Sequence, residues 1–174
     1  MTDIWCVNAS PLIALSQIDR LDLLTSVATV VRVPRAVLGE VAPEARAVAA
    51  VERGAPYELV EDVPVDVRVS IWQLGRGESQ VLSYALANVG VGVVLDDRAA
   101  RRCGSLLQIE MVGTIGIVAR AKSRGHITHA RPVLEALRSV GLFILRAREK
   151  GPASAREKGP TSGPRRDPFV SVPA

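Results

Sequence analysis

GESQVLSYALANVGVGVVLDDRAARR, running from Gly77 to Arg102, is the stretch whose reading decides the fold. Its first half reads as a helix, because Leu82, Ala85 and Val89 recur at helical spacing; at roughly 100° per residue Glu78 falls on the same stripe. Val91 to Leu95 then forms a nearly continuous apolar run, short enough for a strand and apolar enough to be covered on both faces. Asp96 and Asp97 end it, and RAARRCGSLLQ returns to a helical pattern. A strand buried on both faces and flanked by helices is the repeating unit of a parallel sheet with right-handed crossovers.

The same unit recurs toward both ends. Ile4-Trp5-Cys6-Val7 suits a buried strand, and Asn8-Ala9-Ser10-Pro11 punctuates it. Ser10 reads as an N-cap and Pro11 as the first residue of a helix through PLIALSQI. Thr29 to Val33 is β-branched and reads as the second strand. Pro34 opens a helix carrying Glu40, and Pro43 separates it from another over EARAVAAVERG. Tyr57 to Leu74 shows no decisive period. A short strand near Met111-Val112, a helix from Gly113-Thr114 through Lys122 and another over RPVLEALRSV complete the body.

Composition agrees. The 174 residues are 48% apolar but only 3% aromatic, so the core is built from Val, Leu, Ile and Ala. That suits a three-layer α/β/α domain with a central parallel sheet and helices on both faces, and it disfavours an aromatic stacking platform. Cys6 and Cys103 lack metal-type spacing and imply no disulfide scaffold. The start MTDIWCVNASP has no basic leader, and no segment approaches a membrane span, so the expected location is cytoplasmic. The body is assigned to residues 1–146. Residues 147–174, in which REKGP occurs twice among Pro, Gly and Ser, are read as a disordered charged tail.

The net charge of +4 is concentrated in that tail, where six Lys/Arg from Arg148 onward face three acids, leaving 16 basic and 15 acidic residues in the body. A local asymmetry says more: six Lys/Arg lie between Arg98 and Gly125 against one acid, Glu110.

Ligands of an open parallel sheet bind beyond the carboxyl ends of its strands. Asn8, Asp96 and Asp97 follow two such strands, Glu78 opens the helix feeding one of them, and Glu40 closes the helix after another. Carboxylates converging on one rim need a cation, and oxygen ligands without His or thiolate favour Mg²⁺ or Mn²⁺ over zinc. Such ions activate water against a phosphodiester. The arginines after Asp97 are placed to guide a phosphate backbone. His126 and His129 lack a third soft ligand, and the glycines of GVGVV precede a strand, so neither a zinc site nor a dinucleotide fingerprint is expected.

Taken in order, NASPLIALSQIDRLDLL, VPRAVLGEV, GRGESQVLSYALANVG, VVLDDRAARR and GTIGIVARAKSRG resemble the PIN-domain family, specifically its small VapC-like members, from Val7 to about Leu145. The resemblance implies a parallel sheet between helices and a Mg²⁺- or Mn²⁺-dependent ribonuclease, often the toxin of a pair whose small antitoxin protein holds it inactive, and commonly a homodimer. It implies Glu40 and Glu78 as metal ligands, Asp96 and Asp97 sharing the acidic position after the fourth strand, and Asn8 where the family usually has Asp. Ser10 and Thr114 fall at polar positions near the site, and Arg98, Arg101 and Arg102 are the candidate RNA contacts. Asn8 can ligate through its amide oxygen but contributes no charge, so the alternative is a weakly active or inactive PIN-like module for binding RNA or protein. Each residue also has a structural reading. Asn8 suits a turn, Glu78 a helix N-terminus, Asp96-Asp97, Ser10 and Thr114 a cap, and Glu40 and the arginines a solvated face. Their joint occurrence in this order is what points to a metal-binding pocket.

Overall fold

The computed structural model describes residues 3–142, and the proposed tail lies outside them. Among these residues five strands form one all-parallel sheet: β1 (Ile4–Val7), β2 (Val30–Pro34), β3 (Tyr57–Val60), β4 (Val91–Val94) and β5 (Met111–Val112), in the order β3-β2-β1-β4-β5. The chain builds outward from β1 to β3, then crosses back to place β4 on the other side of β1. The switch in strand order therefore lies between β1 and β4, where crossover loops diverge and leave a crevice.

Register sets what meets at that crevice. Val7 pairs with Val94, and the backbone N–H of Asn8 extends the pairing by donating to the carbonyl of Val94 at 3.0 Å. All four β4 residues are buried, as expected for a strand covered on both faces. Gly92 serves a specific contact: a Cβ there would lie 2.8 Å from the Trp5 ring, so the absent side chain is what lets that indole pack on β4.

Nine helices occur among the described residues: α1 (Ala9–Gln17), α2 (Asp22–Val27), α3 (Arg35–Val41), α4 (Ala45–Glu52), α5 (Val67–Ser70), α6 (Arg76–Ala87), α7 (Arg98–Leu106), α8 (Thr114–Ser123) and α9 (Ala130–Ser139). Helix α6 is the hub, packing on β1, β2 and β4 and on α3, α5 and α7. Val81 and Leu82 are fully buried there, and each such side chain contributes on the order of 1.5–3 kcal/mol of burial energy. None of the described helices is long and apolar enough to cross a membrane. Both cysteines are free and buried, and burial pushes the Cys6 thiol far above its usual range.

Two expectations are corrected. Val89 does not share the core stripe with Leu82 and Ala85. The helix stops at Ala87 and Val89 is fully exposed, because Gly90, at φ 86°, turns the chain into β4. Ser10 is not an N-cap either: α1 already starts at Ala9, so Ser10 and Pro11 sit in its first turn and Asn8 occupies the cap position.

The segment without a decisive period proves to be β3, a loop and the single turn α5. Its backbone is satisfied by side chains of α6. Gln80 accepts from Val63 N–H and donates to Val63 C=O, both at 2.9 Å, and Ser83 Oγ accepts from Asp66 N–H at 3.0 Å. Asp66 caps α5 in turn, and the adjoining Arg68 holds its carboxyl down at about 2.

Candidate active site

The site is assembled from strand ends and helix starts. Asn8 follows β1, is 2% exposed and stands at the N-cap of α1, yet makes no side-chain cap bond. Its amide lies instead between two glutamates. Nδ2 donates to Glu78 Oε1 in a long 3.5 Å contact, and Oδ1 shares the space above Gly77 with Glu40: a Cβ on Gly77 would be 2.7 Å from Asn8 Oδ1 and 2.5 Å from Glu40 Oε2. The other Glu40 oxygen accepts from Gly77 N–H at 2.8 Å, which fixes that carboxylate at the positive start of α6.

Asn8 Oδ1 is buried without any hydrogen-bond donor, the one such side-chain oxygen or nitrogen among the described residues. Turning the amide over offers no remedy, since its oxygen would then face Glu78 in place of Glu40. A buried acceptor that faces a carboxylate in either orientation is a place that a cation satisfies.

The aspartates divide their roles. Thr114, fully buried, donates to Asp96 twice, from N–H to Oδ1 at 2.8 Å and from Oγ1 to Oδ2 at 2.5 Å. Asp96 is thereby locked across the start of α8 while each oxygen keeps a free lone pair. Asp97 caps α7 by accepting from Ala100 N–H at 2.8 Å. The cap expected of Thr114 thus becomes a clamp on Asp96, and Gly113 occupies the N-cap of α8.

Glu78, Asp96, Asp97, Ser10 and Arg98 line one cleft of about 520 Å³ at the carboxyl rim, closed on another side by Val140, Gly141 and Leu142. The four carboxylates are not drawn to a single point: no three His, Cys, Asp or Glu side chains form a tight group among the described residues. Asp96 and Asp97 stand at the mouth of this cleft, and Glu78 links it to the buried Asn8 and to Glu40, whose exposed carboxylate lies beside Gly77.

The basic stretch is split. Arg98 and Arg102 are exposed on α7. Arg101 turns inward and donates to the carbonyl of Leu95 at 2.9 Å, and Arg120 stacks 4.8 Å from the Trp5 ring and pairs with Glu110. Gly77 is a site residue that periodicity passes over, since its role is an absent side chain. A glycine in the first turn of a strong helix was the available signal.

Together these features define an α/β/α domain with an acid-lined cleft at the switch point of a parallel sheet. A family model describing a PIN domain matches residues 4–149, and the chain belongs to the PIN-domain family, whose members are generally nucleases using divalent metals. The crystal structure of PAE2754 from Pyrobaculum aerophilum shares the fold, with a TM-score of 0.50 and 17% identity over 71% of this chain and 92% of that one. Comparison with curated proteins finds no match.

Proposed function

We propose that this protein is a divalent-metal-dependent endoribonuclease whose metal ions are held by Asn8, Glu40 and Glu78 at one end of the site and by Asp96 at the other. The observation that carries the reading is the buried, donorless Asn8 Oδ1 beside Glu40. All four residues offer hard oxygen, the donor set of Mg²⁺ or Mn²⁺. A bound ion supplies Lewis-acid activation of water and neutralises charge at the phosphodiester. Thr114 orients Asp96, Gly77 N–H orients Glu40, and Asp97 starts α7 so that Arg98 stands at the mouth to receive a phosphate. Arg102 extends that cationic edge, and Ser10 offers a hydroxyl on the cleft wall. The motif order further supports a toxin role with a small antitoxin partner and a homodimeric assembly, for which a small adjoining reading frame and the solution mass are the checks.

The test is calorimetric Mn²⁺ titration of the full chain together with cleavage of a labelled RNA. Uptake of Mn²⁺ and metal-dependent cutting are expected; a folded protein that takes up no Mn²⁺ ends the reading. Asn8→Asp adds a charge between two carboxylates, so metal-free stability should fall while Mn²⁺ affinity rises about tenfold or more. A variant with unchanged affinity would show that position 8 does not face the ion.

Gly77→Ala offers a second check. Its methyl group would intrude between Asn8 and Glu40, so Mn²⁺ affinity should drop roughly tenfold, while alanine's helix preference keeps the thermal midpoint near that of the parent. Equal loss of stability and affinity would mean a folding defect instead.

A further inference from the structure

The cations that flank the cleft come from one side only if the α7 stretch is taken alone. Arg98 stands on the β4 side, while Arg101 and Arg120 are committed to Leu95 and Trp5. A polyanion drawn over a floor of Glu40, Glu78 and Asp96 is repelled unless cations also hold it beyond the floor.

Strand order supplies them. β2, β1 and β4 are consecutive in the sheet, so the residues that follow them, Arg35, Asn8 and the Asp96-to-Arg98 turn, emerge side by side along one rim. With strands about 4.8 Å apart, Arg35 and that turn flank Asn8 at roughly 5 Å on either side. Arg76 joins Arg35 from α6, immediately before the Gly77 whose N–H holds Glu40. Both side chains are exposed, Arg35 at 57% and Arg76 at 76%.

Their present partners are two consecutive acids after β3. Arg35 Nε pairs with Glu61 at 2.6 Å and Arg76 Nη2 with Asp62 at 3.1 Å. Asp62 is shared, because its other oxygen accepts from Ala36 N–H at 2.9 Å and caps α3. Exposed pairs of this kind are worth at most about 1 kcal/mol, so either arginine can exchange its carboxylate for a phosphate at little cost.

We infer that Arg35 and Arg76 form a second phosphate station, so that the RNA backbone crosses the carboxyl rim perpendicular to the strands, from Arg98 over Asn8 to Arg76. This rests on the nuclease reading and extends it to the path of the substrate.

The experiment measures binding of a fluorescent single-stranded RNA to the full chain in Mn²⁺ across a salt series, with Glu78→Gln present throughout to prevent turnover. Adding Arg76→Gln, or Arg35→Gln with Arg76→Gln, should weaken binding several-fold and reduce the salt slope by about 0.7 per lost phosphate contact. Arg76→Lys, which keeps the charge, should restore the slope. Arg20→Gln, which removes a half-buried arginine paired with Asp22, should leave it unchanged. Slopes unaltered by the Arg35 and Arg76 changes would overturn the inference. If the chain with Glu78 intact cuts RNA and these slopes still do not move, the path alone fails. If that chain cuts nothing yet the slopes fall as stated, the path stands and the nuclease reading fails.

Discussion

Glu78→Gln is expected to lower metal-dependent RNA cleavage by about a hundredfold or more at saturating Mn²⁺, without unfolding the protein. Glu78 is half-buried in the first turn of α6, and its contact with Asn8 is a single long hydrogen bond that glutamine can also accept. The substitution therefore removes charge and changes little packing. What it takes away is one of the two carboxylates beside the buried Asn8 amide, and the proposed metal site, with Asn8 as a neutral ligand, has little negative charge to spare. Because Asn8 supplies no charge, Glu78 should matter more here than it would with an aspartate at position 8. Combining Glu78→Gln with Asn8→Asp tests this, since the double variant should recover part of the lost Mn²⁺ affinity. A single variant that cuts RNA at the parental rate would remove Glu78 from the site.

Trp5→Ala is the substitution expected to cost most stability, about 3–5 kcal/mol, read from the shift in urea midpoint. Trp5 is buried on the central strand, its ring lies against the bare Gly92 of β4, and Arg120 caps it as a cation over the ring. Alanine would leave a cavity lined on one side by backbone, which cannot collapse readily, and it would remove the ring on which the Arg120 guanidinium stacks. Against a total stability of about 5–15 kcal/mol this is a large fraction. The effect should reach the cleft as well, because β1 and β4 pair at Trp5↔Gly92 two residues before Val7↔Val94, the register that carries Asn8 to the rim. A midpoint shift equivalent to less than about 1 kcal/mol would mean that Trp5 is not the central packing residue this geometry makes it.

The parts of the fold legible in the chain are those whose signal is local. Val91 to Val94 declares itself by a nearly continuous apolar run, and α8 and α9 by periodicity after glycine and histidine turns. The loop after β3 was illegible because its hydrogen-bond partners, Gln80 and Ser83, lie seventeen residues further on and belong to a helix whose own pattern gives no hint of them. Val89 misled for a related reason: it continues the helical period of Leu82 and Ala85, but the turn at Gly90 ends the helix before that period applies. By its position Arg101 reads as one of the exposed cations of α7, since nothing local shows that the Leu95 carbonyl draws it inward.

Read without coordinates, the chain determined which segments alternate between strand and helix and which strand ends carry Asn8, Asp96 and Asp97, because burial periodicity and turn chemistry act over a few neighbouring residues. Tertiary structure alone decided that β4 inserts beside β1, that Asn8 meets Glu78 across seventy residues, that Gly77 leaves room for Glu40, and that Thr114 rather than solvent holds Asp96. Those outcomes depend on which surfaces pack together in space, and packing is selected by the shape and charge of the whole domain.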